Sequence, residues 1–123
     1  MTLIWVGLGG LLGANARYLL GGWISSRYGA SFPYGTFVIN VTGSFILGFF
    51  LAFAQERPWV TANWRLLFAT GFVGAYTTFS TFEYESIRLL LDGELLLGAA
   101  NMIGSLVTGG AAAIAGIVLG GRI

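Results

Sequence analysis

Four long apolar stretches, separated by short polar breaks, constrain what this chain can fold into more than any other feature. A helix that crosses a bilayer needs about 20 predominantly apolar residues, and residues 3–23, 35–54, 64–91 and 95–119 all meet that length. The expected fold class is an all-α membrane protein, a single membrane domain (1–123) with four transmembrane helices. Turn formers fill the first break, at Ser25, Ser26, Arg27, Tyr28, Gly29 and Ser31 to Pro33. Gln55, Glu56, Arg57 and Pro58 end the second stretch, and Trp59 and Trp64 flank the gap as interfacial anchors do. Asp92-Gly93-Glu94 closes the third, which is too long for one simple span.

Composition supports a lipid environment, because only 9% of residues are charged, against about 25% in globular proteins. The formal charge is +1 and the six positive residues are arginines scattered singly, which gives no footprint for a nucleic-acid partner. There is no cysteine and no histidine, so disulfides, thiolate nucleophiles, the usual zinc ligands and the usual general base near neutral pH are excluded. An enzyme would have to run on carboxylates and hydroxyls alone, and the chain is read as not an enzyme. Ala14-Asn15-Ala16 looks like a signal-peptidase site, but no Lys or Arg precedes the apolar run and Arg17 to Leu20 continue the helical pattern. Gly9 with Gly13, and Ala112 with Gly116 and Gly120, stand at helix-packing spacing.

Polar groups in lipid are costly unless they face protein or a watery cavity, so intramembrane polar residues are the functional candidates. The second span holds Asn40, with Thr42 and Ser44 nearby. In the fourth, Asn101, Ser105 and Thr108 fall on one helical face. Interhelical hydrogen bonding is the plain alternative for each of them. The third stretch carries the densest signal, from Gly71 to Phe82, with two glycines, four hydroxyls and four aromatics. Glycine and β-branched threonine are poor material for a continuous helix. A break here would release backbone carbonyls at membrane depth, where they suit a small cation such as Na⁺. Beyond the break, Phe79 and Phe82 are spaced to share one side of the restarted helix. Ring edges are positive, so they can support an anion weakly, with Ser and Thr hydroxyls donating hydrogen bonds.

The string from Gly71 to Phe82, Gly9-Gly10-x-x-Gly13-Ala14-x-x-Arg17-Tyr18 near the start, and Gly35-Thr36-x-x-x-Asn40-x-x-Gly43-Ser44-Phe45 together resemble the small CrcB/Fluc fluoride channels of bacteria. The likeness covers nearly the full chain. It implies a multi-pass protein of the bacterial inner (cell) membrane, assembled as an antiparallel, dual-topology homodimer with two fluoride pathways, each taking residues from both chains. It also implies a central structural Na⁺ held by the main-chain carbonyls of Gly74 and Thr77 from both subunits. By the same likeness Asn40, Phe79, Phe82, Asn101 and Ser105 line the fluoride pathway, Thr78, Ser80 and Thr81 form its hydroxyl track, Glu85 is its carboxylate, and Arg17 is structural. In that family fluoride enters cells as neutral HF, dissociates, and leaves passively through the channel, which protects against fluoride toxicity. No ATP site is required, and no Gly-Lys-Ser/Thr follows the glycines. Two positions depart from the pattern: Ala75 replaces a glycine found in many members, and Leu97 stands where some have a tyrosine.

A small multidrug transporter would share the architecture, but it needs an acid in the first helix, where this chain has Arg17 and no carboxylate. A structural subunit without transport is the other alternative. The arginines speak to orientation: Arg57, Arg65 and Arg122 lie towards one side of a four-span topology and Arg17, Arg27 and Arg88 towards the other. An excess of Lys and Arg normally selects the cytoplasmic side, so a balanced chain is expected to insert both ways.

Overall fold

The computed structural model describes residues 1–123 and is helical almost throughout. Helix α1 (Thr2–Tyr28) and helix α2 (Tyr34–Gln55) are followed by a compound element: α3 (Ala62–Arg65), a π-wound run Leu66–Val73, and α4 (Gly74–Tyr76). Two extended residues separate this from α5 (Phe79–Leu91), and α6 (Leu95–Arg122) ends the chain. Helices α1, α2 and α6 are each long and apolar enough to cross a membrane. The third apolar stretch is not a single helix, as expected, since it is split at Thr77 and Thr78.

The split falls inside the expected interval, ahead of Phe79, but at the threonines and not at the glycines. Gly71 and Gly74 both lie within helical turns, and Gly71 serves close packing instead: a Cβ there would stand 2.7 Å from the Val6 carbonyl oxygen of α1. Gly9 and Gly13 return the contact from α1, where a Cβ would overlap the carbonyls of Leu67 and Phe72. The backbones of α1 and the π-wound run therefore touch. Helix α6 lies along α2 in the same way, with Gly116 and Gly120 against the carbonyls of Phe45 and Phe49. Without a hydrophobic driving force between helices in lipid, such backbone contact is what holds them together.

The ends of the helices follow local chemistry. Helix α1 runs past its apolar stretch to Tyr28, and Gly29, at φ 81°, stops it with its N–H bonded to the Ser25 carbonyl. Two arginines close the end of α2: Arg57 donates to the Phe53 carbonyl at 2.8 Å and Arg65 to that of Ala54 at 3.2 Å. Cations at a helix C-terminus also favour its dipole. Trp59 and Trp64 are exposed beside this end, where interfacial anchors belong.

Only 17 of the 123 residues are buried, so a single chain has almost no core of its own. Many large apolar side chains are exposed on its surface.

Candidate functional site

The site is built around the two extended residues, Thr77 (φ −83°, ψ 159°) and Thr78 (φ −149°, ψ 120°). The C-terminal end of one half-helix and the N-terminal end of the other meet here, so carbonyl oxygens and N–H groups without helical partners face each other at close quarters. Their partners are specific. The Val73 carbonyl accepts from the Thr77 N–H and from the Thr77 hydroxyl, both at 3.0 Å. Arg17, from α1, donates Nε to the Ala75 carbonyl at 3.0 Å. The carbonyls of Gly74 and Thr77 receive none of the hydrogen bonds that cross the break.

Asn40 closes the other side of the junction. Its Nδ2 donates to the Thr78 carbonyl at 2.9 Å and its Oδ1 accepts from the Thr78 N–H at 2.8 Å. One amide side chain thus replaces both the donor and the acceptor that a continuous helix would have supplied. Thr78 then caps α5 by accepting the Thr81 N–H on Oγ1 at 3.3 Å. On the first half-helix, Phe68, Phe72 and Tyr76 stack ring on ring, and the buried Tyr76 hydroxyl meets Thr42 Oγ1 at 2.9 Å.

A cavity of about 240 Å³ opens at the break, lined among others by Asn40, Ser44, Thr77, Thr78, Phe79 and Phe82. The two phenylalanine rings lie 6.1 Å apart and are tilted by 54°. Phe79 is 74% exposed, so nothing within this chain covers its outer face. A second recess, of about 360 Å³, lies across the junction and is lined by Arg17, Thr78, Thr81 and Glu85 among others. Thr78 borders both. Glu85 Oε1 is buried there without a hydrogen-bond partner.

Hydroxyl protons decide what these walls can offer an anion. Ser44 and Thr77 direct theirs to the carbonyls of Asn40 and Val73. The Thr78 oxygen acts as an acceptor for Thr81, which leaves its proton free to donate into either space. The N-terminal end of α5 adds the positive end of a helix dipole at the same point. The junction therefore presents donors towards α5 and acceptors towards α4.

The remaining expected residues are distributed as follows. Ser80 is exposed and lines neither space. Asn101 is 1% exposed; its Nδ2 donates to Ser86 Oγ at 2.8 Å, and Ser86 in turn donates to the Phe82 carbonyl at 2.8 Å. Ser105 donates to Asn101 Oδ1 at 3.3 Å, while Thr108, on the same stripe, is exposed. This network stands behind Phe82 and ties α6 to α5. Ser86 was not singled out in the sequence, and its position four residues after Phe82 is the signal that could have found it. Ala75 is half-buried, with its carbonyl held by Arg17, and Leu97 is half-buried on the first turn of α6.

Comparison with known proteins identifies the family. The family model described as CrcB-like protein, Camphor Resistance (CrcB), matches residues 4–117. A protein of Acidobacterium capsulatum named fluoride-specific ion channel FluC is 49% identical over 123 residues, all of this chain and 98% of that protein. Proteins of the same name from Koribacter versatilis and Solibacter usitatus are 51% identical over 100 residues and 44% over 122, covering 81% and 99% of this chain and 79% and 100% of theirs. With three membrane-capable helices, a third stretch broken at a Thr-Thr junction, and a family match over almost its whole length, this chain belongs to the CrcB family of multi-pass membrane proteins.

Proposed function

We propose that this protein is a fluoride-specific ion channel that lets fluoride leave cells passively and so protects them from it. The observation that carries the reading is the Thr78 junction, where a free hydroxyl proton and the N-terminus of α5 stand between two spaces, one of them lined by Phe79 and Phe82. Fluoride is small and tightly hydrated, so a pore that conducts it must replace water with hydrogen-bond donors and exclude larger halides by width. Conduction also requires that each site hold the ion weakly, and ring edges and single hydroxyls do so without a formal charge. Asn40, Ser80, Thr81, Glu85, Asn101 and Ser105 complete the proposed pathway, Asn101 acting from behind Phe82. The test is fluoride efflux from liposomes containing only this protein. Flux that discriminates fluoride from chloride is expected; its absence in folded protein would remove the function. Phe79→Ile and Phe82→Ile, made separately, are each expected to lower flux about tenfold or more, equivalent to about 1.4 kcal/mol. Wild-type flux in both variants would return the rings to a packing role.

The assembly we propose is an antiparallel, dual-topology homodimer in the bacterial cell membrane. The uncovered face of Phe79 and the near-even division of the arginines, with Arg17 held at the break, support it. A structural Na⁺ is proposed at its centre, held by the carbonyls of Gly74 and Thr77 from each subunit. The donor set fits such an ion, because both oxygens are main-chain carbonyls at a break and neither takes a hydrogen bond across it. Bound there, the cation would neutralise the negative ends of the two first half-helices and leave the donor ends of α5 to the anion. A ligand at about 100 times its Kd stabilises the state that binds it by about 2.7 kcal/mol. Exhaustive replacement of Na⁺ by a large organic cation is expected to weaken the dimer by a comparable amount in a detergent dissociation assay. An equally stable and active dimer would remove the ion.

A further inference from the structure

We infer that Arg88 is the outer anion-collecting residue of the pathway, and that its partner Asp92 sets how strongly it acts. The inference rests on the channel reading above. A further space adjoins the recess at Glu85. Ser25, Pro33 and Glu85 also line a third space, of about 250 Å³, whose other walls include Tyr84, Arg88 and Asp92. The two spaces thus adjoin along Ser25, Pro33 and Glu85, one reaching the α5–α6 turn and the α1–α2 connection and the other reaching Thr78.

The charges along these spaces are ordered. Arg17 and Glu85 line the inner one, with the guanidinium of Arg17 directed by its bond to Ala75. At the mouth, Arg88 Nη2 lies 3.3 Å from Asp92 Oδ1, one turn further along the chain, and both side chains are about half exposed, at 54% and 56%. An exposed pair of this kind contributes little to stability. Its electrostatic effect on a mobile anion is different, since a cleft with low-dielectric walls focuses the field of the charges at its mouth. Asp92 offsets part of the Arg88 charge and holds the guanidinium at the rim. Removing Arg88 takes away the one positive charge lining the third space, and removing Asp92 leaves Arg88 opposed there by Glu85 alone.

The size of the effect follows from charge and distance. A unit charge about 7 Å from the ion's path in water changes local anion concentration about two- to threefold at low ionic strength. At about 0.3 M salt, where screening acts over only several ångströms, most of that is lost. The experiment measures fluoride efflux from liposomes at fluoride far below saturation, for wild type, Arg88→Gln, Arg88→Lys and Asp92→Asn, at about 10 mM and about 0.3 M ionic strength. At low ionic strength Arg88→Gln is expected to fall about two- to threefold, Asp92→Asn to rise by a similar factor, and Arg88→Lys to stay near wild type, with the differences collapsing at high salt. Equal flux in wild type and Arg88→Gln at low ionic strength overturns the inference while leaving the channel intact. A loss in Arg88→Gln of the same size at both ionic strengths, shared by Arg88→Lys, also overturns it, because it marks a structural role for the side chain. No flux in wild type removes the inference together with the channel reading.

Discussion

Replacing Asn40 by Asp is expected to lower fluoride flux about a hundredfold or more in protein that still folds. The amide of Asn40 both donates to the Thr78 carbonyl and accepts from the Thr78 N–H. A carboxylate keeps the acceptor and loses the donor, so an anionic oxygen would face a carbonyl oxygen at hydrogen-bond distance. An unsatisfied or mismatched polar group of this kind costs about 1–3 kcal/mol, and more when charged. A fixed negative charge in the wall of the cavity also opposes an anion there, in the same direction. About 2.7 kcal/mol from the two effects corresponds to a hundredfold in rate. Efflux measured on Asn40→Asp liposomes, with the variant verified to elute at the same size as wild type, checks this. Flux equal to wild type would make the amide dispensable for conduction.

Fixing the orientation of the chain is expected to abolish activity altogether. In the proposed topology Arg57, Arg65 and Arg122 fall towards one side and Arg27 and Arg88 towards the other, with Arg17 held at the break by the Ala75 carbonyl, and orientation responds to the excess of positive residues near the ends of the spans. A C-terminal reporter is therefore expected to be found in both compartments for wild type. Two or three lysines placed in the segment between Gln55 and Ala62 should drive every chain one way, and the same number placed beside Asp92 should drive it the other way. Either variant alone would lack its antiparallel partner and give no flux, while expressing both together would restore it. A wild-type chain found in one orientation, and active that way, would refute the antiparallel dimer.

The legible part of this protein is the part governed by local rules. Apolar length marks the long helices α1, α2 and α6 to within a few residues of their observed ends, because lipid thickness sets a minimum span. The interruption of the third stretch was also readable, since glycine and threonine both weaken a helix. That the chain parts within Gly71 to Phe82, ahead of Phe79, was readable too; the residues at which it does so, and what answers them, were not. Gly71 is helical and serves contact with α1, and the split falls at Thr77 and Thr78, where Asn40 supplies both hydrogen bonds that the backbone gives up. That partner sits 38 positions away, on another helix. The π winding of Leu66–Val73 follows no local signal either; it accompanies the backbone contact with α1 and the stacked Phe68, Phe72 and Tyr76.

Among the candidate site residues the same division holds. Polar type and membrane depth singled out Asn40, the threonines and Asn101, because any such group in lipid must be accounted for. Their assignments differ by tertiary position alone. Thr78 borders two cavities with a free hydroxyl proton, whereas Asn101 is enclosed between helices and reaches the site only through Ser86 and the Phe82 carbonyl. From the amino-acid sequence by itself came the membrane setting, the long helices, the interruption and the list of polar residues, all consequences of transfer free energy and backbone propensity along a single segment. The tertiary structure alone decided which carbonyls are answered at the break, which hydroxyls keep a proton to donate, and which polar groups border a space, because hydrogen bonding and packing between distant helices depend on geometry that no single segment contains.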